Sequence, residues 1–265
     1  MPALEILSGQ ATAPGATETA LTMSGGDSLS VRYAPTDADI RLLNAWAWVQ
    51  GTGIFKIRSP KLHDNVQGIR YRTVITDPTP FFPNGFHQKL YPQDDLIATL
   101  SGSAVAGDIE EVSMLVYYND LPGINARFTD PASVKSKGLN LVTQEVTLAL
   151  GATGGYSGTT LLNANFDLLK ANTDYAVLGY TLDVACCSVG FIGSDTGNLR
   201  IGGPGCALKK EIIRQWFVDL SNAHGLPLIP VFNSANKFGI RVDGVQNELG
   251  ADVIIDLILV QLGAG

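Results

Sequence analysis

Charge is scarce in this chain: of its 265 residues only 16% are Asp, Glu, Lys or Arg. Basic residues are the scarcer kind, 18 against 25 acidic ones, and none occurs before Arg32. Phosphate binding needs clustered Lys and Arg, so a net charge of −7 argues against nucleic acid as a direct partner. Histidine is also rare. His63, His87 and His224 form no His-x-His or His-Glu-x-x-His spacing, which leaves no pre-arranged metal site and weakens a cupin-type enzyme. The three cysteines, Cys186, Cys187 and Cys206, contain no Cys-x-x-Cys pair. They read as buried small hydrophobes in a reduced compartment. No run approaches the ~20 apolar residues of a membrane span. The opening MPALEILSGQ lacks the basic start and apolar run of a secretory leader, so synthesis in the cytoplasm is expected.

Motifs for catalysis are missing as well. There is no Gly-x-Ser-x-Gly elbow. Gly202-Gly203-Pro204-Gly205 before Lys209-Lys210 suggests a phosphate loop, but Cys206-Ala207-Leu208 stands where Gly-Lys-Ser/Thr should open the helix. A turn running into a helix start is the better reading. Asp64, Asp94-Asp95 and Glu110-Glu111 read as solvated carboxylates at turns and strand ends. No catalytic residue, metal site or cofactor site is assigned, and the chain is not expected to be an enzyme.

What is plentiful is the material of short strands and tight turns: 45% hydrophobic residues, 29 Gly and 13 Pro. Such low charge also points to a large assembly interface. Residues 39–59, DIRLLNAWAWVQGTGIFKIRS, find a counterpart 135 positions later in residues 174–194, DYAVLGYTLDVACCSVGFIGS. Leu43, Ala45, Ala47 and Val49 fall opposite Leu178, Tyr180, Leu182 and Val184, apolar at every second position as one face of a strand requires. Ile57 and Ser59 fall opposite Ile192 and Ser194. A second match joins residues 18–23 to residues 145–150, and each half ends on a strongly apolar strand, 108–118 and 251–262.

The expected fold is therefore all-β, in two similar halves. Residues 1–17 read as an extended N-terminal arm, 18–130 as the first sandwich and 131–265 as the second, with the link inside 119–138. In the first half, strands are expected at 18–23, 28–33, 39–59, 68–76, 95–101 and 111–118. A Pro-rich loop with Phe81, Phe82 and Phe86 fills 77–92, where four prolines exclude a central strand. In the second half, strands are expected at 141–150, 166–169, 174–194, 226–233, 238–245 and 251–262. One helix, residues 206–224, carries a stripe of Leu208, Ile212, Ile213, Trp216, Phe217 and Leu220 and stops at Gly225.

Two sandwiches in tandem, each closing on an apolar strand, resemble the double jelly-roll major capsid proteins of tectiviruses, corticoviruses and the adenovirus hexon. That resemblance is one of architecture and covers the whole chain. It implies two jelly rolls with one helix in the second, a homotrimer that forms a pseudo-hexagonal block of an icosahedral shell, and a place in the virion. Neighbouring capsomers, other capsid proteins and an underlying membrane are the partners it implies. The rival reading is a receptor- or carbohydrate-binding sandwich, in which Trp46 and Trp48 would form an outward aromatic platform. If the second half covers that face, they are packing residues instead, and this is the preferred account.

Overall fold

A computed structural model describes residues 1–22, 29–50, 53–62, 66–73, 78–149, 158–165, 167–245 and 252–263. The turn expected at 24–27, His63, Asp64, Ile75, the small residues 151–155, Phe166 and the Leu208 side chain lie outside the described residues.

The chain is mostly β, in antiparallel sheets. The first half contains β1 (Ala3–Thr12), β2 (Thr19–Ala20), β3 (Ile40–Trp48), β4 (Gly53–Arg58), β5 (Ile69–Thr73), β6 (Gln88–Leu90), β7 (Ile97–Ser101) and β8 (Ile109–Tyr118). A link carries β9 (Phe128–Thr129) and α1 (Pro131–Lys137). The second half follows with β10 (Gly138–Leu148), β11 (Thr160–Leu161), β12 (Asp174–Leu182), β13 (Cys186–Ile192) and β14 (Ile201–Gly205). Then come α2 (Lys210–Arg214), α3 (Trp216–His224), β15 (Ile229–Asn233), β16 (Arg241–Val245) and β17 (Val253–Leu262).

Sheet order is β1-β8-β3-β6 and β2-β7-β4-β5 in the first half, and β10-β17-β12-β15-β9 and β11-β16-β13-β14 in the second. Counted from β1 and from β10, the two halves share the strand order 1-8-3-6 in one sheet and 2-7-4-5 in the other, and β9 from the link adds a fifth strand beside β15. The first strand pairs with the eighth, the second with the seventh, the third with the sixth and the fourth with the fifth. Except for the fourth and fifth strands, these partners are far apart in sequence, so it is side-chain pattern that holds their register.

Burial follows from this layering. Along β17 buried residues alternate with half-buried or exposed ones, because one face meets a core and the other is only partly covered, by α1 at Val260. By contrast β3 and β8 are apolar and buried on both faces, since their sheet lies between two layers. Inward from it lies the first core, where Ala45, Ala47 and Met114 meet Phe55 and Leu100. Outward, Leu4, Ile6, Trp46, Trp48, Leu115 and Tyr117 join the core of the second half.

The repeat is real in the structure but differs in detail. In β3 the pairing skips Leu43, and in β12 it skips Leu178, so a β-bulge recurs 135 residues apart. The bulge moves Leu43 off the face of Ala45 and Ala47 and into the other core. The turn after β12 is one residue shorter than the turn after β3, so the following strands match at an offset of 134. Val189 and Phe191 are the inward counterparts of Phe55 and Ile57, while Ile192 is only half-buried. Val49 is fully buried, whereas Val184 sits half-buried in the shorter turn.

Other expectations are corrected. Residues 1–17 are not an arm, because β1 pairs with β8 from Ala3↔Tyr118 to Thr12↔Ile109. Its small and polar residues suit a strand covered on both faces, and the carboxylate of Glu5 is held by Arg32 Nε at 2.8–2.9 Å. Residues 18–23 hold only the short β2, the second strand, so they are not the counterpart of 145–148, which lie in β10. Residues 29–33 form only a bridge at Ser30, and 167–169 are not a strand. The second half begins before 131, since β9 pairs with β15 and Arg127 grips Asp174 at 2.6 and 3.0 Å.

Nor is there a single helix in the second half. Within the expected span 206–224 lie a 3-10 turn (Ala207–Lys209), α2 and α3, broken at Gln215 where φ is −131°. Gly225 closes α3 in the left-handed region, φ 63°, donating its N–H to Ser221 O. The additional helix α1 is capped by Asp130, which accepts the Ser133 N–H at 2.9 Å, with Pro131 in the first turn.

Candidate functional site at the joint between the two halves

The sheet β1-β8-β3-β6 turns its outer face to β13 and β14. Side chains that pair across the strands lie in rows there: Leu4–Tyr117–Arg41, Ile6–Leu115–Asn44, Ser8–Ser113–Trp46 and Gln10–Glu111–Trp48. Trp46 and Trp48 are 0% and 1% exposed, so neither offers a platform to a sugar. Trp46 stands edge-on to Trp216 of α3, ring centres 6.0 Å apart, and Trp216 Nε1 donates to Gly202 O at 3.0 Å.

The glycines of β14 are required by the backbone of β13, its neighbour in the same sheet. A methyl group added at Gly202 would stand 1.9 Å from the Val189 carbonyl oxygen, and one at Gly205 would stand 2.1 Å from that of Cys186. The Gly-Gly-Pro-Gly run is therefore strand and not a turn before a helix: it lacks side chains because backbone lies where they would be.

A polar cluster is sealed inside this joint. Arg200, at the entry to β14, donates from Nε to Asp243 Oδ1 at 2.8 Å and reaches Ser188 Oγ at 3.1 Å and Ser8 Oγ at 3.3 Å. Ser8 Oγ meets Ser113 Oγ at 2.8 Å, and Ser113 Oγ donates to Glu111 Oε1 at 3.1 Å. Glu111 Oε2 is buried with no hydrogen-bond partner. Burial pushes the Glu111 carboxyl up to about 7, against the opposing pull of Arg200 and the Ser113 hydrogen bond. Ile6 N–H also donates to Arg200 O at 2.8 Å, so one residue of the second half grips β1 through both backbone and side chain.

The remaining residues singled out in the sequence are scattered. Glu110 and Asp94 are buried, not solvated, as is Glu111. Glu110 accepts the Gln50 N–H at 2.7 Å and the Ser103 N–H at 2.8 Å and so ties two turns together, and Asp94 accepts the Ser59 hydroxyl. Asp95 is exposed. Cys186, Cys187 and Cys206 are buried free thiols, and burial raises the first two above their ordinary range, which keeps them protonated and unreactive. His87 and His224 lie 5.9 Å apart between ring centres, and burial followed by the charge of His87 lowers His224 to about 4. Phe81 stacks on Tyr71 at 3.9 Å and Phe82 packs on the first core, while Phe86 points outward. Lys209 Nζ donates to Thr79 Oγ1 at 3.1 Å.

Where the two crossovers between fifth and sixth strands meet, a cavity of about 260 Å³ opens between Phe82, Asn44, Trp216 and His224. A wider, shallow one of about 660 Å³ lies beside Arg32, Tyr33 and Ile124. Among the described residues no group of three His, Cys, Asp or Glu could hold a metal ion.

Sequence reasoning missed Arg200, Asp243 and Ser8. Their one local signal is a charged residue inside an apolar stretch, such as Asp243 between Val242 and Val245. The partners come from strands far away in sequence.

No protein family and no curated protein matches this chain. Among solved structures it is similar to the PBSX exported protein XepA at 9% identity, with a TM-score of 0.29, over 97% of this chain and 86% of that one. It is similar to YhaK from Escherichia coli at 8% identity and a TM-score of 0.21, over 99% and 86%. A cupin 2 conserved barrel domain protein from Leptotrichia buccalis follows at 9% and 0.17, over 97% and 89%. Scores this low carry no weight for fold or function.

Proposed function

We propose that this chain is a double jelly roll and serves as a structural major capsid protein, three copies forming a pseudo-hexagonal block of an icosahedral shell. The observation that carries this reading is the strand order 1-8-3-6 and 2-7-4-5, present in both halves. It is the order produced when one long antiparallel hairpin, first strand to eighth and fourth to fifth, is wrapped into two facing sheets, as in a jelly roll. The recurrent bulge at Leu43 and Leu178 supports two copies of one ancestral unit.

Stacking supports it further. Two sandwiches locked by a buried joint make one rigid two-block unit, and three such units place six similar blocks in a ring. No residue is assigned to catalysis. The partners are further copies of itself, other coat proteins and, beneath the shell, a bilayer. The carbohydrate-platform alternative loses its basis with Trp46 and Trp48 buried.

Light scattering on the purified chain, followed by electron microscopy, tests the proposal. It requires particles of three times the 28.1 kDa chain mass that go on to assemble. A chain that stays monomeric at high concentration and never assembles would refute it.

A further inference from the structure

The internal joint has an unused counterpart. In the second half, the rows equivalent to those under the joint are Leu141–Val260–Ala176, Thr143–Ile258–Gly179, Glu145–Asp256–Thr181 and Thr147–Ile254. Helices α2 and α3 pack on the β12 and β15 side of this sheet. On the β10 and β17 side α1 lies against β17 at Val260 and Asn165 donates to Glu145 and Thr147, and around these the face is exposed, with Leu141 67% and Ile254 38% exposed and Ile258 half-buried. β10 is also an edge strand, and from Gly138 to Leu141 all four residues are exposed.

The sheet of the first half that corresponds to the covering sheet β11-β16-β13-β14 is β2-β7-β4-β5, and its outer face is open too. Pairing places Ile54 beside Arg72, Lys56 beside Arg70 and Arg58 beside Ile97 on that face. Arg70 and Arg72 are exposed, and Ile97 is 39% exposed. Here four of the chain's 18 basic residues stand together. On the other face, Glu145 and Asp256 stand side by side, with Asp183 and Asp252 exposed near the β17 start. Among the described residues, Arg58, Arg70, Arg72, Glu145 and Asp256 have no ion-pair partner, although Lys56 pairs with Glu18. One face is apolar and acidic, the other apolar and basic.

We infer that the open β10–β17 face of one copy docks on the β2-β7-β4-β5 face of a second copy, repeating between chains the sheet-on-sheet stacking that joins the halves within one chain. Such a contact is heterologous: each copy uses one face as donor and the other as acceptor, so rows of copies either close or run on as fibres. With the same stacking at every step, three chains give six blocks in alternation of covalent and non-covalent joints. The inference rests on the trimer reading and names its contact surface. It also predicts a chemical difference between the joints. The internal one buries Trp46 and Trp48 against the second half, while the external one brings Arg70 and Arg72 of β5 to Glu145 and Asp256, and is therefore weakened by salt.

The test is charge exchange in the full chain, with mass read by light scattering and folding by circular dichroism. Arg70→Glu/Arg72→Glu and Glu145→Lys/Asp256→Lys are each expected to reduce the mass from three chains to one with an unchanged spectrum. Mixing the doubly reversed chain, which carries all four substitutions, with itself is expected to restore three. Leu141→Glu, away from the charges, is expected to release monomers as well. If the unaltered chain is trimeric and all these variants remain trimeric, the face assignment is wrong while the shell reading stands. A monomeric, non-assembling unaltered chain would overturn both.

Discussion

The row Ser8–Ser113–Trp46 in the first half and the row Glu145–Asp256–Thr181 in the second occupy the same place in the same kind of sheet. Their side chains differ because of what lies above them. Over the first row stand β13 and β14 of the same chain, and the row is closed: Trp46 is fully buried, the two serines bond to each other, Ser8 to Arg200 and Ser113 to Glu111. Over the second row the described residues place no second sheet, only Asn165, which donates to Glu145 at 3.0 Å, and the row carries two carboxylates flanked by exposed or half-exposed Leu141, Ile254 and Ile258. A duplicated fold thus keeps its strand order and even its bulge, while the layer covering each face selects the chemistry of the outer rows. Burial of a joint within one chain favours aromatic and neutral groups and keeps charge only where it is paired, as in Arg200 with Asp243, or pushed toward its neutral form, as in Glu111; a less covered face tolerates unpaired charge.

The sharpest way to break this comparison is to truncate the same kind of contact on both faces. Trp46→Ala removes a fully buried ring and should cost about 3–5 kcal/mol, whereas Leu141→Ala on the open face should stay within about 0.5 kcal/mol in the monomeric chain. Urea unfolding at high dilution measures both. Similar losses at the two sites would mean that the joint is not the stabilising layer.

Next in size is the carboxylate sealed in the joint. Glu111 has its folded value raised from 4.5 to about 7, so the folded state favours the proton. Its neutral form supports the fold fully below about 4.5, and that support is lost as pH rises through 7. Glu111→Gln should therefore be more stable than the unaltered chain at pH 8, by about 2–4 kcal/mol, with the difference vanishing near pH 4. Thermal melts across pH test the sign, and a gain confined to acid would contradict it.

The smallest effect concerns the clamp that draws β9 to the second half. Arg127 holds Asp174 below the usual carboxylate range, with Asn233 assisting, but Arg127 is 40% exposed. Arg127→Ala should cost no more than about 1 kcal/mol. That loss should be present above the ordinary Asp range and fade in acid, as Asp174 takes up its proton. A loss independent of pH would assign the effect to packing and not to the ion pair.

Much of this architecture was legible in the sequence, and the failures have definite causes. Leu43 and Leu178 marked the repeat at the right offset, although the sequence does not announce that both are bulged. The apolar run of β17 and the stop at Gly225 were equally plain. The strand β1 was hidden because small residues covered on both faces show no period of two. The Gly-Gly-Pro-Gly of β14 imitated a turn, since close backbone approach and turns both call for glycine. For Glu110 and Glu111, burial depends on partners at Gln50, Ser103 and Arg200, which are brought near only by tertiary pairing. Trp46 and Trp48 were placed on the correct face, and what covered it had to come from the second half.

The central claim is that this chain is one third of a six-block ring. A three-dimensional reconstruction of the assembled particles by electron microscopy tests it most directly. The account predicts three chains around a threefold axis, six sandwiches in alternation, with β10 and β17 of each chain against β4 and β5 of the next. Particles built on a twofold axis, with the same face on both sides of the contact, would contradict it.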